Sequence, residues 1–283
     1  MPIDAFLRSA VAVLAVMALL SLAETLLPFA RKRDARRRHC VPNLTLVALT
    51  LALNFAFNSG VVLVSGLLVS HGFGLLSGVA LPPLAGVLIG VVALDASTYV
   101  CHRLMHRLPR LWSAHRVHHS DPLVDVTTTF RQHPIEGLWR FLFIVAPVGV
   151  LGIPLQAVAI HRVLSVLVGL AEHTNVKLWE PLDRALSWLV CTPNMHKLHH
   201  SRLPIETDSN YGNILALFDR VFRTFTAPTP GFRVDSGLDG YDGAESQELG
   251  ALLRLPFRGP RRILFPAGGS ELAEGHLLKD VTP

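Results

Sequence analysis

Four apolar stretches, at residues 5–30, 43–70, 84–100 and 141–170, constrain this chain more than any other feature. About 20 residues of helix cross a bilayer, so runs of this length are candidates for spanning segments. The composition agrees. Half of the 283 residues are hydrophobic and only 17% are charged, against about 25% charged in an ordinary soluble domain. The expected fold is all-α: an integral-membrane bundle of about four spanning or hairpin helices. Three scattered cysteines, Cys40, Cys101 and Cys191, form no CxxC pair. That argues against a disulfide framework, an iron–sulfur cluster and a thiolate zinc site.

The flanks of each stretch refine this reading. The first is interrupted by Arg8 and Glu24, and Ser21-Leu22-Ala23 resembles a weak signal-peptide cleavage site. Its heavy positive charge follows the apolar run, the reverse of a signal peptide, so a retained helix is expected. That charge lies in Arg31-Lys32-Arg33-Asp34-Ala35-Arg36-Arg37-Arg38 and accounts for much of the net +5. Beside an apolar segment it reads as a topology determinant, with no nucleic acid as partner, and places residues 31–42 in the cytoplasm. Asn54, Asn58 and Gly60 mark bending or close packing in the second stretch. The third follows Pro82-Pro83 and carries Asp95. The fourth contains Gly149, Gly152 and Pro154, with His161 and Arg162 near its middle, and is expected to be a hairpin or a bent segment. Three domains are expected: 1–94, amino-terminal helices with the basic loop; 95–225, the catalytic region; and 226–283, a soluble extension ending in a loose tail at 279–283.

The 14 histidines are not evenly spread. His102 and His106 form HxxxH. His115, His118 and His119 form HxxHH, and so do His196, His199 and His200. His173 stands between them. Positions i, i+3 and i+4 share one helical face, so each cluster can aim at a common centre. Neutral imidazole ligates Zn, Fe, Cu and Ni. One ion takes roughly four to six ligands, so eight clustered histidines, or nine with His173, call for two metals. The clusters lie on both sides of the fourth apolar stretch. That stretch must therefore return to the side it entered from, or the site cannot assemble. His39, His71, His161 and His276 are isolated and carry no expected metal role.

The order HRLMH at 102–106, HRVHH at 115–119 and HKLHH at 196–200 resembles the fatty acid hydroxylase/sterol desaturase superfamily of membrane di-iron enzymes. The flanks match too: Asp95-x-x-x-Tyr99, Leu111-Trp112, Arg131-Gln132-His133-Pro134-x-Glu136, Thr192-Pro193, Asn210-Tyr211-Gly212-Asn213 and Phe218-Asp219-Arg220. The resemblance covers about residues 95–225. It implies a four-helix-type membrane base, a cytosolic helical cap holding two irons, and all eight clustered histidines with His173 as ligands.

Supporting residues are expected around them. Asp95, two turns before His102, is expected to accept a hydrogen bond from a ligand imidazole. His133 and Glu136 are candidates as supporting groups, or as a ligand and its partner, with an ordinary loop as the competing reading. Glu172 neighbours His173 and is a weaker candidate. Asp208 and Asn210 are candidates for bonding to His199 or His200, or for forming a turn. The implied reaction is O2-dependent hydroxylation or desaturation of a lipid such as a fatty acyl chain or sterol, held in an apolar tunnel. Acid–base and nucleophilic side chains do not break unactivated C–H bonds, whereas redox metals with O2 do. No flavin, nicotinamide or haem motif is present, so electrons are expected from a separate ferredoxin, cytochrome or reductase. The competing classes are a membrane zinc hydrolase and a metal transporter. The first usually has three protein ligands and a general base, and HExxH is absent here. The second would favour ligands inside the spans.

Overall fold

The computed structural model describes residues 3–30 and 33–258, apart from the side chains of residues 33–38 and Val69. The expected tail at 279–283 and His276 lie outside the described residues. Among the described residues the regular elements are helices and short 3-10 turns, with three isolated bridges.

Five helices are long and apolar enough to cross a membrane: α1 (Ile3–Leu26), α2 (Arg33–Ser70, apolar over His39–Leu68), α3 (Pro83–Arg107), α5 (Pro134–Leu151) and α6 (Leu155–His173). In lipid each backbone N–H and C=O needs a partner within the segment, which a helix supplies. Most apolar side chains of these helices face outward. In α1 only Met17 and Glu24 are buried, while Val11 and Leu19 are about two-thirds exposed at 66% and 67%. Such a surface is stable against lipid, not water.

The fourth apolar stretch is a hairpin. Gly152 ends α5 in the left-handed region at φ 71°, and Pro154 caps α6. The chain therefore returns to its starting side, as assembly of the histidines requires. The hairpin also begins earlier than hydropathy suggested, at Pro134. Glu136 and Arg140 interrupt the apolar run but point into the bundle. Gly90 of α3 permits close packing on the hairpin, since a Cβ there would lie 2.7 Å from Ala157 Cβ. Gly60 of α2 lies against the Phe141 ring in the same way, at 3.3 Å.

The cap is built from α4 (Pro109–His119), the 3-10 turn Val126–Phe130, α7 (Glu180–Leu186), α8 (Pro193–His199), α9 (Pro204–Thr207), α10 (Leu217–Val221) and α11 (Leu249–Arg254). Residues 226–258 are part of this body and do not stand apart. Leu252 and Leu255 share a core with Leu46 and Val117. Arg131 is wholly buried and uses its guanidinium to join four elements. It donates to Val117 O at 2.9 Å, Asn43 Oδ1 at 2.7 Å, Ser120 Oγ at 2.9 Å and Gln247 Oε1 at 2.7 Å.

His39 is also buried, with Asp121 Oδ1 at 2.7 Å and Asp125 Oδ2 at 3.2 Å from its two nitrogens. It ties the start of α2 to the cap. Glu24 does the same for α1, accepting from the Val126 N–H at 2.7 Å and the Asn175 N–H at 2.9 Å.

Candidate metal centre

Four helix ends bring the histidines together. α3 extends past its apolar section and presents His102 and His106 on one face. Leu108, extended before Pro109, breaks the helix there, and α4 folds back with His115, His118 and His119. His173 closes α6. α8 opens on Thr192, whose hydroxyl accepts from the Met195 N–H, with Pro193 at its first position. It carries His196, His199 and His200.

The nine rings fall into two groups. His102, His106, His115, His119 and His199 offer nitrogens that all lie within 4.8 Å of one another, as do those of His118, His173, His196 and His200. Each i, i+4 pair stays within one group: 102 with 106, 115 with 119, 196 with 200. The odd members, His118 and His199, cross to the other group.

The donor set fits metal. Facing Nε2 atoms lie 3.1 Å apart for His102 and His115, 3.1 Å for His118 and His173, 3.0 Å for His173 and His196, and 3.2 Å for His196 and His200. Two nitrogens with bonds of about 2.1 Å and that spacing subtend about 90–100° at a shared ion, whereas a tetrahedral site would hold them about 3.4 Å apart. The spacing suits an ion with more than four positions. Nε2 of both His119 and His199 is buried with no hydrogen-bond partner, which a bound ion would relieve.

The opposite ring nitrogens are held by the protein. Nδ1 of His102 donates to Tyr211 O at 2.9 Å, His118 to Thr128 O at 3.1 Å, His173 to Gly169 O at 2.7 Å and His199 to Ser209 O at 2.7 Å. His115 Nδ1 faces Glu136 Oε1 at 3.1 Å, and Glu136 is gripped by Arg140 at 2.9 Å. His106 Nδ1 faces Asp208 Oδ1 at 3.4 Å. Such partners fix the tautomer and aim Nε2 at the centre. Burial holds the imidazoles of His118, His119, His196 and His200 well below their usual pKa, and neighbouring imidazoles add to this. Burial likewise takes His199 down to about 3. All five are neutral at pH 7 with a free lone pair.

Several expectations about supporting residues are corrected. Asp95 bonds no ligand ring. It accepts from the backbone N–H groups of Ile214 at 3.1 Å and Leu215 at 2.9 Å. Seven residues of helix put it about 10 Å down the axis from His102, beyond reach of the imidazole, and the 213–215 loop fills that place. His133 is neither ligand nor ligand partner. Its Nδ1 accepts from the Ile135 N–H and its Nε2 donates to Leu253 O, both at 3.1 Å, so it caps α5. Asn210 takes the turn role, with φ 56° and hydrogen bonds to Met195 O and to both backbone groups of Thr226. Asp208 faces His106. Glu172 lies 3.8 Å from Nδ1 of both His173 and His196, outside hydrogen-bond distance.

A cavity opens below the second group, between α2, α3, α5 and α6, with His102, His118, His173 and His196 at one end. Its walls are not the uniform apolar tunnel expected. Phe57, Phe141 and Ile144 alternate with Asn54, Arg140 and Arg162. Arg140 lies just outside the apolar run, so hydropathy does not single it out. Arg162 interrupts that run, and a charge at membrane depth is itself a functional signal.

Comparison with known proteins gives the same picture. The fatty acid hydroxylase family model matches residues 87–224, which contain all nine clustered histidines. An ornithine lipid hydroxylase of Rhizobium tropici is 29% identical over 235 residues, covering 80% of this chain and 70% of that protein. The alkylglycerol monooxygenases of Danio rerio and Xenopus tropicalis are 35% and 33% identical over 138 and 137 residues. This chain spans 30% and 29% of their respective lengths. No solved structure matches. With the histidine order, the helical membrane base and these relatives in agreement, the chain belongs to the fatty acid hydroxylase superfamily.

Proposed function

We propose that this membrane protein is an oxygenase that uses O2 and external electrons to hydroxylate a lipid, with iron ions in the two histidine groups. The observation that carries this reading is the partition of nine buried imidazoles into two convergent sets. A five-histidine set and a four-histidine set exceed what one ion accepts, and each leaves room for further ligands on a six-coordinate ion. Two irons there would supply the redox chemistry that lets O2 attack an unactivated C–H bond.

The chain's own residues perform the remaining tasks. Glu136, Asp208 and the carbonyls of Tyr211, Thr128, Gly169 and Ser209 orient the rings. The cavity presents a substrate carbon to the histidine end, and the buried surroundings exclude water. Hydroxylation is preferred over desaturation because the relatives are named hydroxylases and monooxygenases.

The span 39–68 begins, and α3 and α6 end, at the histidine side, where the basic run 31–38 also lies in sequence. By the positive-inside tendency that side is cytoplasmic, so a soluble ferredoxin, cytochrome or reductase can reach it. The division into 1–94, 95–225 and 226–283 is proposed as a functional one.

The test is lipid analysis of a host expressing the wild-type chain or H119A. Lipids carrying one added oxygen only with the wild type support the proposal. Identical lipid profiles from chains of equal abundance oppose it.

A further inference from the structure

Arg162 sits in α6, a membrane-spanning helix, and lines the cavity that ends at His118, His173 and His196. Among the described residues no hydrogen bond or ion pair reaches it, and its Nε is buried without a partner. Beside it in sequence His161 is 2% exposed, lines the same cavity, and has neither ring nitrogen in a hydrogen bond. The nearest carboxylate to that ring, on Asp95, is 3.9 Å from Nε2 and is already used by backbone N–H groups. Arg140, the other guanidinium of the cavity, is different: Glu136 neutralises it.

Arg162 is only partly exposed, and an unpaired charge in a spanning helix is costly and marks a ligand or ion path. Nothing in the fold gains from Arg162, because it bonds nothing. We propose that the cavity takes the anionic group of the lipid, a phosphate or a carboxylate, and that Arg162 is its counter-ion. Guanidinium suits both, since its fork of N–H donors matches paired anionic oxygens. Arg162 precedes His173 by eleven residues, roughly 16 Å along the helix. The anion and the oxidised carbon are therefore held at opposite ends of the cavity, and the position of hydroxylation is counted from the anion. This rests on the oxygenase reading for the role of the histidine end.

The test is equilibrium binding of radiolabelled lipids to the purified full chain without added metal. The probes are palmitate and dioleoyl phosphatidate, each against its uncharged counterpart, hexadecanol and dioleoylglycerol. The wild type is expected to prefer at least one anionic probe by about tenfold or more, the size of one charge-assisted hydrogen-bond set. The anionic probe that is preferred identifies carboxylate or phosphate as the source. R162M is expected to lose the preference while melting at the same or a higher temperature, because an unpaired charge in a spanning helix has gone. R162K is expected to keep more of the preference than R162M.

No anionic preference in the wild type, or its persistence in R162M, overturns the proposal. So does an R162M chain that fails to fold, which would make the arginine structural, or an R162K chain no better than R162M. A chain that shows the preference but takes up no iron sinks the oxygenase reading and leaves this one standing. A chain that oxidises lipid without the preference does the reverse.

Discussion

His118 and His119 are neighbours in sequence yet point into different histidine groups, with ring planes 88° apart. His199 and His200 do the same on α8, at 90°. A helix turns about 100° per residue, so an adjacent pair is the simplest way for one helix to serve both groups. This relationship explains why both clusters are HxxHH and not a second HxxxH.

It follows that the two groups can be damaged separately. H118A removes a member of the four-histidine set and H119A one of the five-histidine set. Each is expected to lower bound iron from about two toward about one per chain and activity by about 100-fold or more. Metal analysis of the purified variants beside turnover measurements checks this. Full iron occupancy in both variants would count against the assignment.

Glu136 acts through His115. E136Q keeps the shape but weakens the hold on Nδ1 and leaves Arg140 without its charge partner. A loss of about 10–100-fold in activity or iron affinity is expected, the range for partners of metal-bound histidine. H133Q, by contrast, is expected to lower stability through the α5 cap and to leave the activity per folded chain nearly unchanged. Titrating iron into both variants separates them.

Asp121 anchors the cap to α2. It is buried and takes bonds from His39 at 2.7 Å, Asn43 Nδ2 at 2.8 Å and Thr128 Oγ1 at 2.9 Å. Two cations lie beside it, and the His39 and Arg131 charges hold its carboxyl below the usual range despite burial. D121A strands those groups, and a loss of about 3–5 kcal/mol is expected. Unfolding in mild detergent measures it, and a loss under about 1 kcal/mol would refute the anchoring role.

Asp219 supplies a pH signature. Burial raises its carboxyl from 3.8 to about 6, against the pull of bonds from Thr224 Oγ1 and the N–H groups of Gly212 and Tyr211. Between about pH 4 and 6 the folded chain then binds more protons at this site than the unfolded chain. Its contribution to stability therefore falls as pH rises through that window and is level above it. The stability difference between wild type and D219N is expected to shrink from pH 4 to 6 and then hold constant. A difference that grows over the window contradicts the sign.

The sequence carried the spans and the histidines because both signals are local: apolar length for one, helical spacing for the other. The return of the fourth stretch was legible from Gly152 and Pro154, but its start at Pro134 was not, because Glu136 and Arg140 look like a polar flank until their side chains are seen turned inward. Asp95 misled by its spacing. It shares the helical face of His102 but not its height, and face alone does not decide contact. His39 looked isolated since Asp121 is 82 residues away. The carbonyls of Tyr211, Thr128, Gly169 and Ser209 have no sequence signal at all, because any residue supplies a carbonyl and only the fold aims it.

The central claim is that the two histidine groups hold two irons. It is tested most directly by purifying the full chain without oxygen, counting metals, and recording the Mössbauer spectrum before and after exposure to O2. The account predicts close to two irons per chain, held by nitrogen-rich high-spin sites, that both change on oxygen exposure. Stoichiometric zinc, or a single iron that O2 leaves unchanged, would contradict it.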